Sequence, residues 1–297
     1  MSLVISTISL GLLWSVLALG VYITFRVLNI ADLSVEGTFP LGAAVAAALI
    51  DKGAAPLAAV SAAAAAGMIG GALTGLMHTK LKIPALLAGI LTMIGLYSVN
   101  LRVMGKANIS LLGMDTMYSR MEEMGLSKEV AVLAAGVLVV AVIAALMYWF
   151  FGTEVGMSIR ATGQNPQMIR AQGVNTHHTI LLGLILGNAL VAISGALIAQ
   201  NNGFADVGMG IGTIVIGLAS VIIGEVLFGA RSFKNSLIAV VLGSIVYRAV
   251  IAAVLKLGMS PNDLKLLTAV LVALALSLPL MKEKILAAKG GGANAAR

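Results

Sequence analysis

The sequence has 297 residues, 60% of them hydrophobic and 10% charged, with a formal net charge of +7 and no cysteine. A soluble domain carries about a quarter charged residues, and a water-soluble fold of this composition would expose a large apolar surface, so the composition excludes that class and leaves a helical membrane protein. The missing cysteines exclude a disulfide framework and thiolate metal sites, and the surplus of Lys and Arg reports membrane topology rather than a nucleic-acid partner.

Nine apolar segments run in order along the chain: 3–28, 34–51, 55–79, 83–104, 128–151, 177–200, 207–229, 235–256 and 262–281. Most have the roughly 20 residues a spanning helix needs. The first, Leu3 to Val27, has no basic leader and no small-residue cleavage signal, and reads as a retained span. The second is short and contains Glu36, Gly37 and Pro40, so a broken or re-entrant helix is expected there. The alanines at 62–66 in the third suit close helix packing in lipid. The Gly/Ala-rich end, 282–297, is expected to be a flexible tail.

The two halves resemble each other. Gly37-Thr38-Phe39-Pro40-Leu41-Gly42 and Gly212-Thr213-Ile214-Val215-Ile216-Gly217 share G-T-x-x-x-G. Each opens an apolar helix and follows an aspartate, Asp32 or Asp206, and Pro84 and Pro261 sit at similar offsets beyond. The reading is two membrane repeats, 1–104 and 177–281, separated by an extracytoplasmic loop 105–127, a connecting span 128–151 and a cytoplasmic loop 152–176. Shared Ala/Gly/Leu composition is the competing explanation. Four spans return the chain to its starting side, so the spacer span inverts the second repeat, a common device in transporters. On this topology one side receives Arg26, Lys80, Lys82, Arg160, Arg170, Arg231, Lys234, Lys282, Lys284, Lys289 and Arg297, the other Lys52, Arg102, Lys106, Arg120, Lys128, Lys256 and Lys265. Eleven against seven places the first side in the cytoplasm, with the amino terminus outside and the carboxyl terminus inside.

The polar stretch between the fifth and sixth segments runs from Gly156 to Asn175 and contains Arg160-Ala161-Thr162-Gly163-Gln164-Asn165-Pro166, then Arg170 and Gly173-Val174-Asn175. Asn165 can cap free amides and Pro166 is tolerated at the first helical position, so a short helix from Pro166 to Gln172, stopped by Gly173, is predicted. A short capped helix on the cytoplasmic face suits docking of a soluble partner, although an ordinary surface loop reads equally well from the residues alone.

This stretch, G-x-x-I-R-A-x-G-x-N-P-x-x-x-x-x-x-G-V-N, resembles the coupling-helix region of bacterial ABC importer permeases of the branched-chain amino acid/ribose/nucleoside type. Ser194-Gly195-Ala196, Gly212-Thr213 through Gly224-Glu225 with Phe228-Gly229, and Leu17-Ala18-Leu19-Gly20 leading to Asn29-Ile30-Ala31-Asp32 are similar to the same family, so the likeness covers nearly the whole chain. Within the family the chain looks most like the single-permease systems proposed for aromatic amino acids. The resemblance implies an all-α, polytopic membrane bundle of vitamin-B12-importer-like architecture in the bacterial inner membrane. It implies a second permease copy, two cytoplasmic ATPase subunits and an extracytoplasmic solute-binding protein as partners. Arg160, Ala161, Thr162, Gly163, Asn165, Pro166, Arg170, Gly173, Val174 and Asn175 would dock the ATPase.

Charged groups inside a membrane are costly and face a partner or a watery path. Glu225 and Arg248 fall in neighbouring segments, where an ion pair can form or Glu225 can snorkel to the cytoplasmic edge. The pathway candidates are Asn29, Asp32, Glu36, Thr38, Asn188, Asn202, Asp206, Thr213 and Arg248, grouped at the ends of the repeated helices, where unwound backbone meets solute; capping alone would also explain several. Tyr97, Asn100 and Arg102 could face the same space. His177 and His178 lack carboxylates at ligand spacing, so no metal is expected there. The chain has no G-x-x-x-x-G-K-[ST] and no hydrolytic constellation, so it is expected to hold no cofactor and to be no enzyme, with ATP handled by a partner subunit. The expected function is permeation of a small solute, an amino acid foremost, by an ATP-driven importer. A nucleoside or sugar as solute, or a carrier driven by an ion gradient, is the alternative.

Overall fold

The computed structural model describes residues 2–123 and 125–258, with isolated positions between 266 and 277. The predicted ninth segment therefore falls largely outside the described residues, as do Pro261, Lys265 and the tail. A backbone in lipid has no water to satisfy its amides, and helices solve this within each segment. The helices are α1 (Ser2–Tyr22), α2 (Val35–Asp51), α3 (Pro56–Thr79), α4 (Ala85–Met104), α5 (Met117–Glu123), α6 (Lys128–Phe151), α7 (Glu154–Gln164), α8 (Pro166–Ala171), α9 (Thr176–Asn202), α10 (Thr213–Phe228) and α11 (Phe233–Lys256). A π-helical turn, Ile23–Val27, extends α1, and a 3-10 turn, Val207–Gly210, precedes α10. Among the described residues seven helices are long and apolar enough to span a membrane: α1, α3, α4, α6, α9, α10 with its preceding turn, and α11.

One expectation needs revision, and two segments gain detail. The segment 34–51 is not broken at Pro40; α2 is continuous through it, and the interruption lies earlier, at 28–34. The segment 207–229 begins as a tight turn, and its helix starts only at Thr213. The loop 105–127 contains a short strand, β1 (Asn108–Ser110), and α5. β1 pairs antiparallel with β2 (Phe204–Asp206), with Asn108 opposite Asp206 and Ser110 opposite Phe204.

Helix α9 is the axis of the molecule. Without an aqueous hydrophobic effect between helices, close packing of small residues carries association in lipid. Three glycines of α3 at four-residue spacing supply it: Gly67 abuts the Asn188 carbonyl, Gly71 the Leu184 carbonyl and Gly75 the Leu181 side chain. On the other side Gly20 of α1 meets the Gly187 carbonyl, where a Cβ would stand 2.6 Å away. Hydroxyl-to-carbonyl bonds add specificity, from Ser194 to Leu13 (2.9 Å) and from Ser244 of α11 to Gly11 (2.8 Å). The small helix α5 is pinned to the far end of α9 by Tyr118 Oη on the Leu197 carbonyl (3.1 Å) and by the Met117 amide on Gln200 Oε1 (3.0 Å).

Candidate functional site

The connection 28–34 leads to the first polar cluster. Asp32 Oδ1 accepts the Ser34 amide at 2.9 Å, and its Oδ2 accepts Asn188 Nδ2 at 2.8 Å. The Ser34 hydroxyl donates to Asn188 Oδ1 at 3.1 Å, and Asn188 Nδ2 also reaches the Leu184 carbonyl at 3.1 Å. All three side chains are buried. Asn188 stands near the middle of the 27-residue α9, so α2 begins at mid-height rather than at a membrane surface. Gly89 of α4 allows this: a Cβ there would sit 2.8 Å from the Leu33 amide nitrogen. Sequence reasoning named Asp32 and Asn188 separately. It missed Ser34, whose hydroxyl is committed to Asn188 and makes no cap of its own helix.

The start of α10 mirrors this chemistry. Asp206 Oδ1 accepts the Gly208 amide at 2.7 Å, the same two-residue turn that Asp32 makes with Ser34, and Asn108 Nδ2 donates to its other oxygen at 3.4 Å. Thr38 Oγ1 donates to the Ser34 carbonyl (3.0 Å) and Thr213 Oγ1 to the Gly210 carbonyl (2.8 Å). Gly212, with φ of 85°, takes a left-handed conformation open to glycine, and its amide donates to Glu36 Oε1 at 3.0 Å. The amino ends of α2 and α10 thus meet through one carboxylate, which both helix dipoles stabilise. Pro40 has no N–H, so the Glu36 carbonyl makes no ordinary helical bond, and Gly210 approaches that carbonyl closely enough to exclude any Cβ. Beside this junction lies a cavity of about 340 Å³ lined by Glu36, Gly37, Pro40, Met93, Tyr97 and Asn100, among others. Asn100 Nδ2 donates to the Gly37 carbonyl at 3.2 Å.

The stretch 156–175 folds differently from the expected loop with one helix. Most of its first half is α7, with Thr153 as cap (Gly156 amide to Thr153 Oγ1, 3.3 Å). The predicted second helix is present as α8, ending at Ala171. Asn165 accepts the amides of Gln167 (3.1 Å) and Met168 (3.0 Å), and Gly173 turns with φ of 87°. Asn175 caps α9 through the His177 amide at 3.0 Å. The proposed docking residues therefore divide. Thr162 is buried and bonds Thr179 Oγ1 at 2.8 Å, and Gly163 lies against the Val27 carbonyl where no Cβ fits. Ala161 and Val174 are half-buried, and the Arg160 guanidinium sits 4.8 Å from the Phe233 ring centroid. Arg170 is exposed but anchored, Nε to Thr176 Oγ1 at 2.7 Å, while Asn165, Pro166, Met168 and Gly173 face outward.

Of the two readings open for Glu225, the pair with Arg248 does not form. Glu225 Oε1 pairs with Arg26 Nε at 2.8 Å at the foot of α1. Arg248 instead stands over Trp14, 4.3 Å from its ring centroid, and Trp14 stacks on Phe39 at 5.3 Å. Arg248 is thus not brought to the other pathway candidates. Neither is Asn29, an exposed residue with φ of 56°, and Asn202 is the last residue of α9.

Residues 3–277 match the family described as branched-chain amino acid transport system / permease component. A tyrosine transport system permease protein of Clostridioides difficile is 39% identical over 272 residues, covering 92% of this chain and 90% of that protein. An uncharacterised protein of Rickettsia prowazekii is 34% identical over 281 residues, covering 93% and 98%. Among solved structures, a transporter assigned to the metal-chelate ABC type, in an inward-facing conformation, aligns with a TM-score of 0.50 at 15% identity over 94% of this chain and 85% of that one. That last likeness concerns the fold.

Proposed function

Since the chain belongs to the branched-chain amino acid transport system permease family and is a multi-pass ABC transporter permease, with a transport rather than a catalytic role, we propose that it carries an amino acid, an aromatic one foremost, across the inner membrane by alternating access. Support for the solute is the tyrosine permease relative, aligned over nearly both full lengths. A second permease copy, two cytoplasmic ATPases that use the ATP, and an extracytoplasmic binding protein complete the importer. The amino terminus lies outside and the carboxyl terminus inside. The matched two-residue turns at Asp32 and Asp206 support two inverted repeats of the vitamin-B12-importer kind.

The observation that carries the docking reading is the α7–α8 ledge. It is capped at each helix start, exposes Asn165, Pro166 and Met168, and is bonded to the spans behind it. Gly163 rests on the foot of α1, and Thr162 and Arg170 bond the start of α9. A push on α8 by an ATPase therefore reaches α1 and α9 directly, and through Asp32, Ser34 and Asn188 the start of α2. The test is co-purification in detergent, with Met168→Glu and Arg170→Glu placed in the ledge. A P-loop ATPase accompanies the wild type and is lost from the variant. An intact protein that purifies alone and moves solute in liposomes on an ion gradient would overturn the reading.

A further inference from the structure

We propose that the cavity between α2, α4 and the Val207–Gly210 turn is a subsite for the primary ammonium group of the solute, with Glu36 and Asn100 as its recognition residues. The inference rests on the permease reading and adds to it which end of the solute is held, and by what.

Beside the hydroxyls of Tyr97 and Ser98, the cavity offers two side-chain acceptors, from Glu36 and Asn100. Glu36 contributes a carboxylate of which only Oε1 is used, by the Gly212 amide. Asn100 is fully buried, and the bond from its Nδ2 to the Gly37 carbonyl fixes its orientation. Its Oδ1 then has no hydrogen-bond partner. A buried carbonyl oxygen without a donor costs roughly 1–3 kcal/mol, so a native protein keeps one where something else supplies the donor. Among the described residues no Lys, Arg or His lines this cavity. Arg102, further along α4, is exposed and outside the lining. One carboxylate and one orphan acceptor flank Gly37, and among the described residues no cation lines the cavity. An ammonium group, with a charge of +1 and three donors, answers both; a carboxylate would meet repulsion from Glu36 and find no cationic partner.

The rest of the lining fits the body of such a solute. Met93, Ile94 and Ile211 are apolar, and Tyr97 offers a half-exposed ring. The volume of about 340 Å³ lies within the range of small-molecule sites, about 300–1,000 Å³. Glu36 also belongs to the junction between α2 and α10, so an ammonium held there sits where the two half-height helices meet.

The experiment is saturation-transfer NMR on the full chain in zwitterionic-lipid nanodiscs, with three probes: L-tyrosine, tyramine and 3-(4-hydroxyphenyl)propionate. The first two carry the ammonium and are expected to bind in the millimolar range; the third lacks it and is expected not to. Glu36→Gln keeps an amide oxygen for the Gly212 N–H, so the junction stays capped while the charge is lost. It is expected to weaken tyramine binding about tenfold to a hundredfold, the range for a lost charge-assisted hydrogen bond. Asn100→Leu, which removes the orphan acceptor, is expected to weaken it by a smaller factor. Binding of the propionate as strongly as tyramine, unchanged binding in Glu36→Gln, or no binding of either amine would overturn the proposal. None of these outcomes touches ATPase co-purification, which tests the permease reading separately.

Discussion

Asn188→Leu is expected to destabilise the protein by about 3 kcal/mol, because two buried polar groups lose their partners at once and such groups cost roughly 1–3 kcal/mol each. The Asp32 carboxylate would keep the Ser34 amide but lose Asn188 Nδ2, and the Ser34 hydroxyl would lose its acceptor. Leucine keeps the branching at Cγ but is larger than asparagine, so some overpacking adds to the lost hydrogen bonds, and the double-variant comparison isolates the hydrogen-bonding part. The measurement is unfolding in a graded detergent–SDS series, read by tryptophan fluorescence from Trp14 and Trp149. The double variant Asp32→Leu with Asn188→Leu should be less destabilised than the sum of the two single variants, since removing both partners leaves fewer orphans. Strict additivity would mean that the three residues do not act as one network.

Gly195→Leu is expected to disrupt the crossing of α2 and α9 more severely. A Cβ at Gly195 collides with the Phe39 carbonyl and stands 3.0 Å from its carbon and 3.3 Å from the Ala43 amide; from the other side, a Cβ at Gly42 collides with the Ala192 carbonyl. The two glycines let the backbones touch, and backbone cannot rotate away as a side chain can. Overpacking against movable side chains costs about 1–3 kcal/mol, and a clash with backbone exceeds that range, and the displaced α2 carries Glu36, Gly37 and Thr38 with it. Gly95→Ala is the matched comparison, since a Cβ there meets nothing within 4 Å. It is expected to be neutral or to stabilise by up to about 1 kcal/mol through helix propensity. Equal losses in the two variants would refute the close-approach explanation.

Much of this was legible in the residues. Hydropathy located the spans, because a membrane selects for runs of apolar residues of set length; 128–151 coincides with α6. Asn165-Pro166 marked α8, because a cap and a first-turn proline act locally. The repeated G-T-x-x-x-G marked the starts of α2 and α10. What escaped depends on distant approach. The reach of Ser34 to Asn188 spans 154 positions and that of Arg26 to Glu225 spans 199, and no local pattern encodes either. Helix α7 was hidden because its small, polar residues lack the apolar run that marks a span. Arg248 was read as a pathway residue on charge alone, and its aromatic partner on α1 could not be seen from α11. Gly163 was read as a surface residue, although its missing side chain is what seats the ledge on the foot of α1.

The absence of native cysteine allows a direct test of ATPase docking at α8. Met168→Cys and Leu112→Cys each introduce a single exposed thiol, the first on α8 and the second beside β1. Each is labelled with a thiol-reactive benzophenone in membranes holding the assembled transporter and then irradiated. Met168→Cys is expected to capture a P-loop ATPase subunit, identified by mass spectrometry of the adduct, and Leu112→Cys is expected not to. Capture of the ATPase from Leu112→Cys, or none from Met168→Cys while the ATPase still co-purifies, would contradict docking at α8.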